Sequence, residues 1–194
     1  TEWCTRMAAI PAFPKRCVIW FGRPQAHERA QLAAGGWQIR EVAAGEQPGI
    51  GLRGNGRRVL TYGDLHSLAE DEDGREPGRE VELHLTGHME KFAWSFDGIP
   101  FASAEPLRLN YGERMRIVLV NDTMMAHPIH LHGMWSDVED ADGNFMVRKH
   151  TVDMPPGSKR SLRVRADALG RWAFHCHLLY HMEAGMMREV RVEA

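Results

Sequence analysis

At 194 residues the chain is long enough for one domain, or for one domain with an appendage. It is 43% hydrophobic and 26% charged, as an ordinary soluble globular protein is, and its formal net charge of −2 supplies no general attraction to nucleic acid or anionic membrane. No apolar run approaches the roughly 20 residues that a membrane-spanning helix needs.

Residues 1–47 carry little alternation and read as an unassigned N-terminal extension. Prolines and charges interrupt its short apolar stretch, so it is not read as a signal peptide. Gln25–Ala34 is rich in Ala, Gln and Glu and predicts a short helix ended by Gly35-Gly36. The extension holds Cys4 and Cys17, which either pair in an oxidising compartment or stay as two unrelated thiols. Residues 48–79 read as an irregular connector: a Gly-rich run with one short strand near Arg58–Tyr62, then the acidic, turn-forming EDEDGREPGRE. The domain boundary is placed near Pro77.

From Glu80 to Ala194, short runs alternate with turn signals every 8–15 residues, the pattern of a β-sandwich. VELHLTG alternates, KFAWSF closes at the turn Asp97-Gly98, and PLRL precedes Asn110-Tyr-Gly112. RMRIVLVN and residues 127–134 follow as strands. SDVEDADGN reads as a loop, FMVRKHTVDM as one strand ending at Pro155-Pro156-Gly157, then KRSLRVR, RWAFHCH and MREVRVEA as the last three. That makes eight or nine strands in one all-β unit.

Two stretches of this unit carry the chemistry. Seven of the eleven histidines fall between 127 and 181, six of them in HPIHLHG and FHCHLLYHMEAGMM. Side chains alternate across a strand, so His175 and His177 share one face and Cys176 takes the other. His130 and His132 share a face, and His127, three residues earlier, takes the opposite one. Two metal sites then straddle one backbone. His127, Cys176, His181 and Met186 form the first, and His130, His132, His175 and His177 the second. Two imidazoles, a thiolate and a weak thioether are the ligands of a blue-copper centre, and soft sulfur beside imidazole selects copper over zinc or magnesium. A zinc hydrolase needs neither the Cys between two His nor the Met five residues after His181. The bland alternative is a histidine-rich core strand.

These motifs resemble the two C-terminal copper motifs of the laccase-like multicopper oxidases, and the resemblance runs from about Pro48 to Ala194. It implies a cupredoxin-like Greek-key β-sandwich. It also implies that His127, Cys176, His181 and axial Met186 bind type 1 copper, that His130 is a type 2 ligand, and that His132, His175 and His177 are type 3 ligands. Electrons would pass from Cys176 to His175 and His177. WSFDG at 94–98, RKHTVDMPPG at 148–157 and a Met-rich character are most similar to the bacterial copper-resistance A-type oxidases, which implies a periplasmic or otherwise extracytoplasmic setting.

The family's trinuclear cluster uses four H-x-H pairs from two cupredoxin domains, and only 130/132 and 175/177 are present here. The expected partner is therefore another cupredoxin domain or subunit, with O2 and a phenolic or Cu(I) reductant as reactants. The competing expectation is a stand-alone electron-transfer or copper-binding module, for which His130 and His132 have no use. His84 and His88 read as surface histidines and His150 as a loop residue. Ten of the eleven methionines lie between 89 and 187, and they serve either as core filler or as soft docking groups for Cu(I). Trp135, Trp172 and Phe174 are read as core or pocket packing.

Overall fold

The computed structural model describes residues 51–194, together with two short parallel strands, β1 (Cys17–Ile19) and β2 (Gln38–Arg40). The helix expected over Gln25–Ala34, the fate of Cys4 and the start of the connector lie outside the described residues.

Two sheets face each other. The first holds six strands in the order β4-β3-β6-β11-β8-β9. These are β3 (Arg79–His88), β4 (Ala93–Phe96), β6 (Arg114–Asn121), β8 (Ser136–Glu139), β9 (Phe145–Lys149) and β11 (Lys159–Arg165). The second holds five in the order β10-β7-β12-β13-β5. These are β5 (Leu107–Asn110), β7 (His127–Leu131), β10 (Thr151–Met154), β12 (Gly170–Cys176) and β13 (Met187–Glu193). Most neighbours are antiparallel, while β3–β6 and β13–β5 run parallel, as crossovers between two sheets require. The fold is the expected all-β sandwich.

Alternation builds the core. Leu83 and Leu85 on β3 and Met115, Ile117 and Leu119 on β6 face Ile129, Leu131, Phe174, Val190 and Val192 from the other sheet, all buried. Phe96 stacks on Phe174 across the gap, with centroids 5.3 Å apart. That contact ties the WSFDG strand to the strand carrying Cys176.

Four details differ from the sequence reading. SDVEDADGN is not all loop: Ser136–Glu139 is β8, buried on both faces because β11 and β9 flank it and its acids pair with arginines. FMVRKHTVDM is two strands, because the chain bends at His150 and passes from one sheet to the other. Arg58–Tyr62 forms no strand; it leads into a single 3-10 turn at Tyr62–Asp64, closed by the Asp64 carboxylate on the Thr61 amide (2.7 Å). Trp135 is 54% exposed, outside the core, with its ring 6.0 Å from that of His150.

Residues 71–76 lie across the outer face of the six-stranded sheet. Asp71 accepts from the buried Arg114 (2.7 Å) and lies 3.4 Å from Arg163, while Glu72 accepts from Arg148 (2.9 Å). Beneath them Asp137 and Glu139 pair with Arg148 and Arg116. This ionic layer explains why Arg114 on β6 and Arg163 on β11 are charged yet buried.

Candidate metal centre

The site begins with strand register. On β7 and β12, His130 is paired with His175 and Ile129 with Cys176. Directly paired residues share a face. His130 and His175 therefore look out of the sandwich, while Cys176 looks in with Ile129 and His127. The chain keeps this alternation beyond the strand ends, since His132 N–H donates to Ala173 O (2.9 Å) and His177 N–H to Pro128 O (2.7 Å).

On the inner side, His127 Nδ1 lies 3.6 Å from Cys176 Sγ, His181 Nδ1 lies 3.8 Å from it, and the two nitrogens are 3.0 Å apart. All three residues are buried. A point equidistant from these donors lies about 2 Å from each, close to the roughly 2.0–2.3 Å usual for bonds from a first-row metal to imidazole nitrogen and thiolate sulfur. His181 arrives on α1 (Leu179–Glu183), a single turn that the sequence reading did not foresee. Met186 is fully buried and held by its backbone: its N–H donates to His181 O (2.9 Å) and its carbonyl accepts from Cys176 N–H (3.1 Å).

Burial sets the protonation of this pocket. It pushes the Cys176 thiol up to about 11, against a smaller opposing pull from the Leu178 amide. It pulls His127 down to about 4, with help from neighbouring His181, and lowers His181 as well. A metal-free pocket therefore holds a thiol and neutral imidazoles, and a cation entering it must release the thiol proton.

A chain of hydrogen bonds sets the His127 tautomer, and the sequence reading missed it. The Asn121 amide donates to the carbonyls of Met125, Met154 and Pro155, which turns its Oδ1 toward Thr123. The Thr123 hydroxyl donates to that oxygen (2.8 Å), so at 2.7 Å from His127 Nε2 it accepts the imidazole N–H. Nδ1 is left as a lone pair aimed at the pocket, the usual service of an outer partner to a ligating histidine. A threonine four residues before His127 was the only sequence signal, and by itself it is weak.

On the outer side four rings gather. The centroids of His130 and His132 are 4.6 Å apart, those of His132 and His175 5.1 Å, and those of His175 and His177 5.9 Å. His132 Nε2 and His175 Nε2 approach to 3.0 Å. His130 Nδ1–H donates to His150 O and His175 Nδ1–H to Cys176 O, so both present Nε2 as a lone pair. His132 and His177 are exposed, and burial lowers His132, aided by the neighbouring histidines. His150, as expected, is a bend residue; it contributes its carbonyl. His84 lies on β3 and bonds Asp122 (2.6 Å), apart from both groups.

The family model for multicopper oxidases matches residues 74–194. The chain belongs to the multicopper oxidase family. Copper is accordingly its cofactor, and the inner donor set fits that metal. Over 146 residues it is 82% identical to copper resistance protein A of Pseudomonas syringae pv. tomato, covering 75% of this chain and 24% of that one. Copper resistance protein A of Escherichia coli is 78% identical over the same length, with 75% and 24% covered. Multicopper oxidase MmcO of Mycobacterium tuberculosis is 40% identical over 111 residues, 57% of this chain and 22% of that one. The fold is shared with a multicopper oxidase from Campylobacter jejuni (TM-score 0.55, 17% identity, 81% of this chain and 35% of that one). The chain thus spans about a quarter of the length of the curated relatives it matches.

Beside the inner site opens a cavity of about 380 Å³ lined by Pro100, Phe101, Met182, Glu183, Gly185 and Met187. Among the described residues no helix is long and apolar enough to cross a membrane.

Proposed function

We propose that residues 80–194 are the C-terminal cupredoxin domain of a longer multicopper oxidase of copper resistance, with 48–79 as its connector and 1–47 an extension of no assigned role. In this reading His127, Cys176 and His181 would hold type 1 copper, with Met186 as the weaker fourth donor. His130 serves a type 2 ion, and His132, His175 and His177 serve type 3 ions. The observation that carries it is the pair of opposed donor sets on β7 and β12, with Cys176 between His175 and His177 on one backbone. Bound copper supplies one-electron acceptance at the inner site and O2 reduction to water at the outer one. The chain's own residues do the rest: Cys176 links the sites through the peptides on either side of it, Thr123 holds the His127 tautomer, and the buried sulfur keeps water out. The cavity beside Met182 and Met187 gives the reductant, a phenol-like molecule or Cu(I), a place to dock against soft and apolar groups.

Four imidazoles cannot complete a three-copper cluster, so the exposed His132 and His177 face is to be covered by a second cupredoxin domain with two further H-x-H pairs. The copper-resistance relatives support an extracytoplasmic setting. The test is copper stoichiometry, the visible spectrum and O2 uptake of the purified chain. It should hold one copper firmly with an intense thiolate-to-copper band, lose that band in Cys176→Ser, and oxidise phenols poorly until the missing domain is supplied. Full oxidase activity from a one-copper monomer would sink the division of labour. An intact band in Cys176→Ser would sink the ligand assignment.

A further inference from the structure

His127 and His181 present the same atom to the pocket, but they are held differently. His127 is locked by its hydrogen bond to Thr123. His181 sits on a five-residue helix that has no side-chain N-cap, and among the described residues nothing hydrogen-bonds its Nε2. One turn of helix is too short to be rigid on its own. Its ring lies instead against Trp94, centroids 4.4 Å apart and planes 22° from parallel, with Tyr180 edge-on to the same indole at 5.5 Å.

The indole occupies a slot cut for it. Its cross-strand partner on β3 is Gly87, where a Cβ would stand 2.9 Å from Trp94 Cδ1 and Nε1. From the other side Gly185, at φ +120°, passes so close that a Cβ would lie 2.8 Å from Trp94 O. Gly87 thus clears space for the indole and Gly185 for the backbone carbonyl of the same residue, which is only 4% exposed. Trp94 opens WSFDG, a segment with no role among the metal-binding residues.

We propose that Trp94 is a positioning residue for the copper site: its indole face fixes the plane of the His181 imidazole, and so the direction of Nδ1, before metal arrives. A face-to-face aromatic contact restrains ring rotation without using either nitrogen. Losing an outer-shell support of this kind weakens metal binding by about 10–100-fold.

The inference rests on the copper reading, so its test has a copper-free arm. In the metal-free chain, Trp94→Leu should move the His181 ring-proton resonances downfield as the indole ring current is lost. In the Cu(II) titration it should weaken binding by about tenfold or more and broaden the thiolate-to-copper band. Trp94→Phe, which keeps an aromatic face, should recover most of both. Gly87→Ala presses on the indole without removing it and should shift the same resonances. A folded Trp94→Leu protein with unchanged resonances and affinity overturns the proposal, as does an equal loss in Leu and Phe. Should Trp94→Leu fail to fold, silent His181 resonances in Gly87→Ala overturn it and shifted ones support it. Absence of a thiolate band in the unaltered chain would defeat the copper reading alone, since the metal-free resonances still report on Trp94.

Discussion

Cys176 and Met186 show how differently one environment treats two sulfurs. Both are fully buried. Burial keeps Cys176 protonated until a cation displaces the proton, whereas the Met186 thioether carries no proton and binds only weakly. As the proposed axial group it stabilises the oxidised metal more than the reduced one. Met186→Leu preserves volume and apolar character, so the fold should survive. The reduction potential should rise by about 60 mV for each tenfold loss of preference for the oxidised state. A redox titration checks this, and an unmoved or lowered potential would remove Met186 from the axial position. The sequence revealed both sulfurs because parity and residue type were enough. It hid Asn121, Thr123 and Trp94, whose side chains are ordinary and whose roles arise only from partners brought close by folding.

Among the elements, the β7–β12 pair does most to place the donors, and its far end shows what such placement demands. Gly133 follows His132 at φ +75°, and a Cβ there would stand 2.4 Å from the Trp172 ring. Trp172 is itself anchored by its indole N–H on Ala168 O (2.9 Å). Gly133→Ala combines a left-handed backbone with a ring that cannot retreat. It should cost on the order of 2–4 kcal/mol, more than a strained turn alone. The damage should extend to His132, seen as a lower Tm and a displaced His132 resonance; a Tm unchanged within about a degree would refute the steric argument. Long alternating strands such as β6 were plain from the sequence. The four-residue β8 was not, because its burial comes from arginines on neighbouring strands, and the break at His150 was not, because local alternation continues straight through it.

Across the whole molecule, the acidic segment 71–76 is a clasp rather than a solvated loop. Asp71 is burdened by burial, but hydrogen bonds from Arg114 and nearby amides outweigh this and lower its pKa; the Arg75 hydrogen bond lowers that of Asp73. Carboxylates with depressed folded values contribute stability above the ordinary carboxylate range and lose it as pH falls through the folded values. Acid should therefore release residues 71–76 before the sandwich melts, read as early amide exchange there below about pH 4. Asp71→Asn should show that exchange already at neutral pH, and it should cost up to about 3–5 kcal/mol by leaving Arg114 buried without its main partner. Protection that does not change with pH would mean that the clasp carries no energy. Its acids were legible as a charge run; the distant arginines that hold Asp71 and Glu72, 43 and 76 residues away in sequence, were not.

The bend at His150 carries a mechanical consequence. β9 belongs to one sheet and β10 to the other, with this single residue between them, and its carbonyl receives the His130 ring proton. A sliding displacement of one layer over the other must pull on that corner, and the corner is bonded to an imidazole of the outward-facing cluster. Shear between the layers is therefore expected to turn the His130 ring.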